Sequence, residues 1–426
     1  MTFALLLVGL VVILLTGLPV FAALTLFATA ILLFVEGNLG SLGEIVFGKL
    51  NSYLLVAIPL FTLMAHIMIR GKVVDDLYAA AHCFVRHWPG GMGVATVAAC
   101  TVFAAISGSS VATALTIGTS AIPQMIRYGY PPRVAYGVVA GGGTLGILIP
   151  PSGPMVLYGV VSDTSIGALF VAGVVPGLMI AGIFAVFCVV QDLGRPNRQR
   201  LEAASPAEMG AALRKSFWAL TLPPIILGGM YLGVFTATEA AGVGAVAALA
   251  IAVFAYRNFG LKDLWLASWD AAVTTAMLFL ILAAAGLFGH VLTKLRIPQQ
   301  MVDLVTHYGV SQMGFLLAVM ALIFVLGMFL ETISIILITT PVVLPVLVAL
   351  KIDPVWYGIL LTINLELALI TPPVGMNLFA IKGITGAPIG EVIAGILPYV
   401  VLLLIGLALV LVFPAIALWL PGTMRY

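Results

Sequence analysis

The chain has 426 residues, of which 62% are hydrophobic and 8% are charged, and its formal net charge is +2. A water-soluble domain carries about 25% charged residues, so this chain has too few charges to cover a soluble surface. The composition excludes a single-domain soluble enzyme and a nucleic-acid-binding protein, and it predicts an integral membrane protein. The apolar segments are about 18 residues or longer, which is the length of a helix that crosses a bilayer, so we expect an all-α protein.

In chain order, the first half is interpreted as two membrane spans, a third span, an amphipathic segment, a hairpin, a broken span and a final span. These elements are predicted at residues 2–15, 19–35, 53–69, 73–88, 91–128, 133–161 and 167–190. The hairpin is predicted because the polar sequence SGSS, Ser107 to Ser110, interrupts a long apolar stretch that has cations at both ends. A short polar tip without charged flanks indicates a re-entrant hairpin that stops within the membrane.

A polar linker at residues 191–215 divides the chain and holds five cations, Arg195, Arg198, Arg200, Arg214 and Lys215. Cationic loops of membrane proteins lie on the cytoplasmic side, so this linker is predicted to be cytoplasmic. The same rule gives about five crossings in each half, about ten in total, with both termini outside. Residues 1–190 and 216–426 then form two repeats of opposite orientation.

The repeat itself rests on matched prolines. A shift of 222 residues places Pro150 on Pro372 and Pro151 on Pro373, and it also matches Pro123, Pro132 and Pro176 with later prolines. Internal duplication with inverted topology is a common architecture of secondary transporters. The second half is therefore predicted to contain a hairpin at 311–350 and a broken span at 355–382.

The paired prolines predict where each broken span is interrupted, at ILIPPSGPM (147–155) and LITPPVGMN (369–377). Proline has no N–H and disfavours helix just before it, so carbonyl groups near Gly146, Ile149 and Thr371 lose their helical partners. In protein-lined cavities within a membrane such groups commonly coordinate cations or substrate. A packing kink is the simpler interpretation of one break, but two matched breaks beside polar hairpin tips favour a binding site.

Three acids lie in apolar surroundings, Glu239, Glu331 and Glu366. A charged side chain at membrane depth is costly, so it usually has a partner or a function. Glu331 lies at the second hairpin tip, where it either serves function or caps the following helix. Glu366 is interpreted as stabilising the broken span, and Glu239 as a capping acid of a scaffold helix.

Cys83, Cys100 and Cys188 have no metal-ligand spacing, and no ATP-binding or hydrolase motif occurs, so we predict no enzyme activity and no bound cofactor.

Five segments of the chain resemble the large membrane subunit of TRAP transporters, the tripartite ATP-independent periplasmic solute carriers. They are SGSSVATA, GILIPPSGPMVLYG, GVFTATEAAGVGA, LETISIILITTP and LALITPPVGMNLF, and the resemblance covers essentially the whole chain. One departure is Ala237, where the family often has proline. The resemblance implies a multi-pass protein of the bacterial inner membrane that imports a carboxylate-bearing solute, such as a C4-dicarboxylate or sialic acid, with Na⁺ and an elevator-like movement.

The resemblance also implies partners and sites. The partners are a small four-helix membrane subunit, a periplasmic substrate-binding protein and membrane lipid, without nucleic acid. Ion binding is expected at the two tips and breaks, namely Ser107, Gly108, Ser109, Ser110, Gly146, Ile149 and Pro151 in the first half, and Glu331, Thr332, Thr371 and Val374 in the second. Substrate binding is expected at Ser110, Ser152, Gly153, Ser334, Gly375 and Asn377.

Two alternatives remain at this stage. A self-contained anion:Na⁺ symporter of similar architecture would need no binding protein. An intramembrane enzyme or assembly protein would show a convergent set of acid, base or nucleophile instead of duplicated breaks.

Overall fold

The computed structural model of the protein describes residues 2–195 and 202–424. Residues 196–201 of the linker, with the predicted cytoplasmic cations Arg198 and Arg200, lie outside the described residues. Within the described ranges the regular structure is helical throughout, without a β-strand. The prediction of an all-α protein is confirmed.

Ten α-helices lie in residues 2–195, the described part of the first half. They are α1 (Thr2–Leu15), α2 (Val20–Glu36), α3 (Leu42–Leu50), α4 (Ala57–Arg70), α5 (Val73–Val85), α6 (Gly91–Ser107), α7 (Ser110–Arg127), α8 (Pro132–Leu148), α9 (Gly153–Ser162) and α10 (Ile166–Leu193). Helices α6 and α7 occupy the predicted hairpin range, and α8 and α9 occupy the predicted broken span.

The second half follows the same succession. Its helices are α11 (Pro206–Tyr231), α12 (Ala237–Ala250), α13 (Leu261–Lys294), α14 (Ile297–His307), α15 (Gln312–Gly327), α16 (Thr332–Ala349), α17 (Pro354–Leu369), α18 (Met376–Thr385), α19 (Ile389–Val412) and α20 (Ala415–Leu418). Here α15 and α16 occupy the predicted hairpin range, and α17 and α18 the predicted broken span.

The two halves differ at their third span. In the second half this span is the continuous 34-residue helix α13. In the first half the corresponding stretch is divided into α3 and α4, with Asn51 and Ser52 between α3 and a short 3₁₀ turn that leads into α4. The sequence analysis did not identify α3 as a separate helix.

Seven helical segments among the described residues are long and apolar enough to cross a membrane, judged by length and composition. The all-helical membrane class is confirmed by this observation, whereas the number of ten crossings stays a prediction.

The first residues of helix α12 are capped as the sequence indicates. Thr236 caps α12 and pairs reciprocally with Glu239, whose N–H lies 3.3 Å from Thr236 Oγ1. Glu239 is thus a capping acid, and α12 begins at Ala237.

Two ionic contacts join α13 to other helices. Arg70 Nη2 lies 2.5 Å from Asp270 Oδ2, which joins α4 to the first half of α13. Lys294 Nζ lies 2.8 Å from Glu36 Oε1, with His290 Nε2 at 3.3 Å from the same oxygen, which joins α2 to the end of α13. These contacts tie the long helix α13 to α4 and to α2.

The described ends of the linker pack against the base of the first hairpin. The Arg195 guanidinium lies 4.1 Å from the centre of the Tyr130 ring and donates to the Gly129 carbonyl at 2.6 Å. Arg86 donates to the Glu208 carboxylate at 2.9 Å. The linker, the end of α5 and the base of this hairpin therefore lie on one side of the molecule.

Candidate functional site

The first hairpin tip is a tight turn of two residues between α6 and α7. Gly108 has a φ of +61°, and Ser109 caps α7 by accepting the N–H of Ala112 at 3.3 Å. The hydroxyl of Thr113 donates to the Ser109 carbonyl at 2.8 Å, and Ser107 Oγ lies 3.0 Å from Thr113 Oγ1. The hydroxyl groups of the tip thus satisfy its own backbone and hold the turn together.

The first break lies where α8 ends at Leu148. Pro150 and Pro151 follow, and neither has an N–H to donate to the carbonyls of Gly146 and Ile147. The peptide bond between the two prolines is cis. Ser152 then caps α9, with its hydroxyl 3.5 Å from the N–H of Met155.

The tip and the break of the first half are in direct backbone contact. A Cβ placed on Gly146 would lie 2.4 Å from the carbonyl oxygen of Ser109. One placed on Gly108 would lie 2.4 Å from the carbonyl oxygen of Pro151. Only glycine permits such a close approach, and the two glycines bring the oxygen atoms of tip and break together. The structure therefore brings together Gly108, Ser109, Gly146 and Pro151 from the residues predicted for the first ion site.

The second tip and break are joined in a related way. The N–H of Val374 donates to the Met328 carbonyl at 3.3 Å, and a Cβ on Gly327 would lie 2.4 Å from the Cβ of Ala368. Pro372 and Pro373 are also joined by a cis peptide bond. Gly375, which precedes α18, has a φ of +38° and packs close to the carbonyl oxygen of Thr371.

Glu331 is the N-cap residue of α16, but its side chain makes no capping hydrogen bond. The structural interpretation of Glu331 as a capping acid is therefore wrong. Instead, Glu331 and Thr332 line a cavity that also reaches the first tip. The carboxylate of Glu331 is thus available to a ligand in this cavity.

This cavity has a volume of about 340 Å³ and lies between the two hairpin tips and helices α4 and α13. It is lined by all four residues of the SGSS tip, and by Pro151 and Gly153 from the first break. His66 and Thr274 face it from α4 and α13. Helices α7, α9 and α16 begin at its wall, so their free N–H groups and partial positive charge are directed to one space. Such a space suits an anion and, at the tip oxygens, a cation.

Some predicted residues lie outside this wall. Ser152 is buried beneath it as the cap of α9, and Ile149 packs against Gly177 of α10. Ser334 and Asn377 are fully buried, and Ser334 Oγ and both amide atoms of Asn377 have no hydrogen-bond partner. A buried polar group without a partner is unfavourable, so these atoms indicate a place for a polar ligand or water.

Glu366 is the residue whose position the sequence analysis did not foresee. Its carboxylate, on α17, accepts the Ser110 hydroxyl at 2.9 and 3.0 Å and the backbone N–H of Ile147 at 2.9 Å. Glu366 thus connects the second half of the chain to the tip and to the broken span of the first half. In the sequence, the only sign of a role for Glu366 was a charged residue in an apolar helix, and this did not identify Ser110 and Ile147 as its partners.

Comparison with known proteins gives a consistent result over the whole chain. The family model of the DctM component of tripartite ATP-independent periplasmic transporters matches residues 7–416. A C4-dicarboxylate TRAP transporter large permease protein of Pseudomonas aeruginosa is 43% identical over 396 residues, which cover 93% of this chain and 92% of that protein. An ectoine TRAP transporter large permease protein of Halomonas elongata is 36% identical over 368 residues and covers 86% of each chain.

The fold is also similar to a solved structure. The crystal structure of the Alcanivorax borkumensis YdaH transporter aligns with a TM-score of 0.66 and covers 88% of this chain and 87% of that one. The sequence identity is 14%, so this comparison supports the fold alone.

Proposed function

The chain belongs to the family of DctM components of tripartite ATP-independent periplasmic transporters, and from this premise we propose that it uses a Na⁺ gradient to import a small carboxylate-bearing solute. Its family makes it a large permease subunit, and it is a multi-pass protein of the bacterial inner membrane. The Na⁺ coupling, the class of solute and the elevator-like movement are parts of the proposal.

The observation that carries the proposal is the convergence of both hairpin tips on one cavity. Na⁺ is bound by oxygen ligands that replace its hydration shell. The first tip offers serine hydroxyls and backbone carbonyls next to the carbonyls of the broken span, and the second offers Glu331 and Thr332. This supports one Na⁺ site at each tip, with the ligands that the resemblance implies.

The solute is proposed to bind between these sites through its carboxylate. Helix N-termini bind anions with their free N–H groups, and α7, α9 and α16 begin at the cavity wall. Among the described residues the wall includes no lysine or arginine, so these N–H groups and the hydroxyls are its main anion-binding groups. The substrates in the names of the two relatives, a C4-dicarboxylate and ectoine, each carry a carboxylate of this kind.

We propose that the solute is delivered by a periplasmic binding protein and that a small four-helix membrane subunit completes the transporter. The membership in a tripartite family supports both partners. The hairpins and broken spans would move with the solute as one unit against α4 and α13. The reason is that the tip and break backbones approach so closely that a Cβ at Gly108 or Gly146 would lie 2.4 Å from a carbonyl oxygen.

The test is uptake of a labelled C4-dicarboxylate into liposomes that contain the permease, the small subunit and the binding protein, with each component omitted in turn. We expect accumulation only with all three components and an inward Na⁺ gradient. Gradient-driven uptake by the permease alone would instead establish a self-contained anion:Na⁺ symporter. Uptake that is the same with Na⁺ and with choline would contradict the Na⁺ coupling.

A further inference from the structure

Glu366 is 1% exposed, and its carboxylate lies where α17 meets α8 and the first hairpin tip. Its hydrogen-bond donors are the hydroxyl of Ser110 and the N–H of Ile147. Both donors are neutral. They orient the carboxylate, but they do not balance its charge.

No lysine, arginine or histidine forms an ion pair with Glu366 in the part of the chain that the structure describes. A buried carboxylate is strongly unfavourable unless a positive charge lies close to it. The free-energy cost of an unpaired charge is high within the membrane, and an acid there typically belongs to an ion path or a binding site. An ionised Glu366 therefore needs a cation that the described part of the chain does not supply, and without such a cation the buried carboxyl would take up a proton.

The candidate position for that cation is next to the carboxylate. Ser110 belongs to the first tip and Ile147 to the first break, which are the two segments that Gly108 and Gly146 bring into backbone contact. A cation bound between the tip and the break would lie next to Ser110 and Ile147, which donate hydrogen bonds to Glu366.

We propose that Glu366 is a positioning residue for the cation at the first hairpin tip. It holds Ser110 and the Ile147 amide in place, and its negative charge stabilises the bound cation. This inference rests on the proposed function, because it assumes that the tip binds Na⁺.

The repeat supports the assignment of one carboxylate to each tip. The residue that the 222-residue shift matches with Glu366 is Thr144, whose hydroxyl donates to the Gly141 carbonyl at 2.6 Å within its own helix. The second tip thus has no such residue from the other half, but it carries Glu331 at the cavity wall. Each tip then has one carboxylate, at different positions of the repeat.

The test is the Na⁺ dependence of uptake by the complete transporter with Glu366→Gln. The side chain of glutamine has nearly the same shape, its carbonyl oxygen can accept the Ile147 N–H, and its amide can donate to Ser110. The substitution therefore removes the charge and keeps the contacts. We expect the Na⁺ concentration for half-maximal uptake to rise at least tenfold, with little change in the solute KM at saturating Na⁺. An unchanged Na⁺ dependence would overturn the inference.

The matched control is Glu391→Gln on α19, because Glu391 is exposed and its substitution removes the same charge at a distance from the site. We expect wild-type Na⁺ dependence from this variant. If Glu366→Gln transports too slowly to measure, the thermal unfolding of the purified permease in NaCl and in choline chloride gives the same comparison without transport. Stabilisation of the variant at the same Na⁺ concentrations as the wild type would count against the inference.

Glu366→Asp serves as the second variant, since it keeps the charge but shortens the side chain. We expect its half-saturating Na⁺ concentration to fall between those of the wild type and Glu366→Gln. A wild-type protein without Na⁺ dependence would refute the proposed function itself, and that outcome is distinct from failure of the inference.

Discussion

Gly108 lies directly against Pro151: a Cβ at Gly108 would be 2.4 Å from the carbonyl oxygen of Pro151. The contact joins the turn of the first hairpin to the break of the first broken span. It is made of backbone atoms on both sides, so no side-chain rearrangement can relieve a clash there. The geometry of the proposed first ion site therefore depends on the absence of a side chain at one residue.

We expect Gly108→Ala to reduce Na⁺-driven uptake at least tenfold. The added methyl group meets the Pro151 carbonyl, and the φ of +61° is one that residues with a Cβ rarely adopt. Uptake in liposomes is the measurement, with the amount of inserted protein as the reference. Gly182→Ala in α10, where a Cβ would meet nothing within 4 Å, is the control and is expected to transport normally. Normal uptake by Gly108→Ala would show that the tip can move away from the break.

The second tip allows a rescue experiment. A Cβ at Gly327 would lie 2.4 Å from the Cβ of Ala368, so Gly327→Ala is expected to separate α15 from α17 and to abolish most uptake. The double variant Gly327→Ala/Ala368→Gly removes the opposing methyl group and should recover much of the activity. The measurement is uptake by the three variants, including Ala368→Gly alone. Equal defects in the single Gly327→Ala and the double variant would mean that this contact is not the cause.

Asn377 provides a test of the substrate site. Its amide is fully buried and has no hydrogen-bond partner, and leaving such a group unpaired costs about 1–3 kcal/mol. Asn377→Leu has a similar volume and removes both polar atoms. We expect the solute KM to rise at least tenfold, while the half-saturating Na⁺ concentration and the thermal stability are maintained.

The control for this experiment is Asn364→Leu. Asn364 is equally buried, but its amide donates to the Met320 carbonyl at 2.8 Å. Its substitution should lower thermal stability and leave the KM unchanged. A KM for Asn377→Leu that matches the wild type would remove Asn377 from the substrate site.

The hairpins and breaks could be located from the sequence because they depend on local chemistry. The SGSS tip and the two proline pairs interrupt apolar runs, and proline and glycine act on the backbone where they occur. The helices α6, α7, α8 and α9 accordingly begin and end within a few residues of the predicted segments. The repeat-matched breaks were visible for the same reason.

The partner of Glu366 could not be predicted in this way. Ser110 and Glu366 are 256 residues apart in the chain, and only the packing of α17 against α8 brings them together. The contribution of His66 to the cavity wall likewise depends on how α4 packs against the hairpins. The role of Glu331 was ambiguous because a capping acid and a ligand-facing acid occupy the same position in a helix, and only the direction of the side chain distinguishes them.

The orientation of the protein in the membrane is predicted from its charges. The cationic linker should be cytoplasmic and Lys351, which follows α16, should face the periplasm. We expect a membrane-impermeant maleimide added to intact cells to label Lys351→Cys and not Ala207→Cys. Both positions are exposed, whereas Cys83, Cys100 and Cys188 are buried and should give little background. The opposite labelling pattern would reverse the orientation, whereas a pattern that places both positions on one side would contradict the predicted inverted repeat.

The last prediction concerns the tips as ion sites. Thr332 lines the cavity as the first residue of α16, and Ser109 lines it as the N-cap residue of α7. A hydroxyl oxygen can take the place of a water molecule in the hydration shell of Na⁺. Thr332→Leu and Ser109→Leu each remove such a hydroxyl and introduce a bulkier apolar side chain. We expect both variants to insert normally and to lose Na⁺-dependent uptake at least tenfold, whereas Thr332→Ser, which keeps the hydroxyl, should retain most of it. Thr306→Leu is the control, because Thr306 lies exposed on α14 and its hydroxyl bonds only to the Val302 carbonyl of its own helix. If both leucine variants kept the uptake and Na⁺ dependence of the wild type, the coupling ions would have to bind elsewhere in the protein.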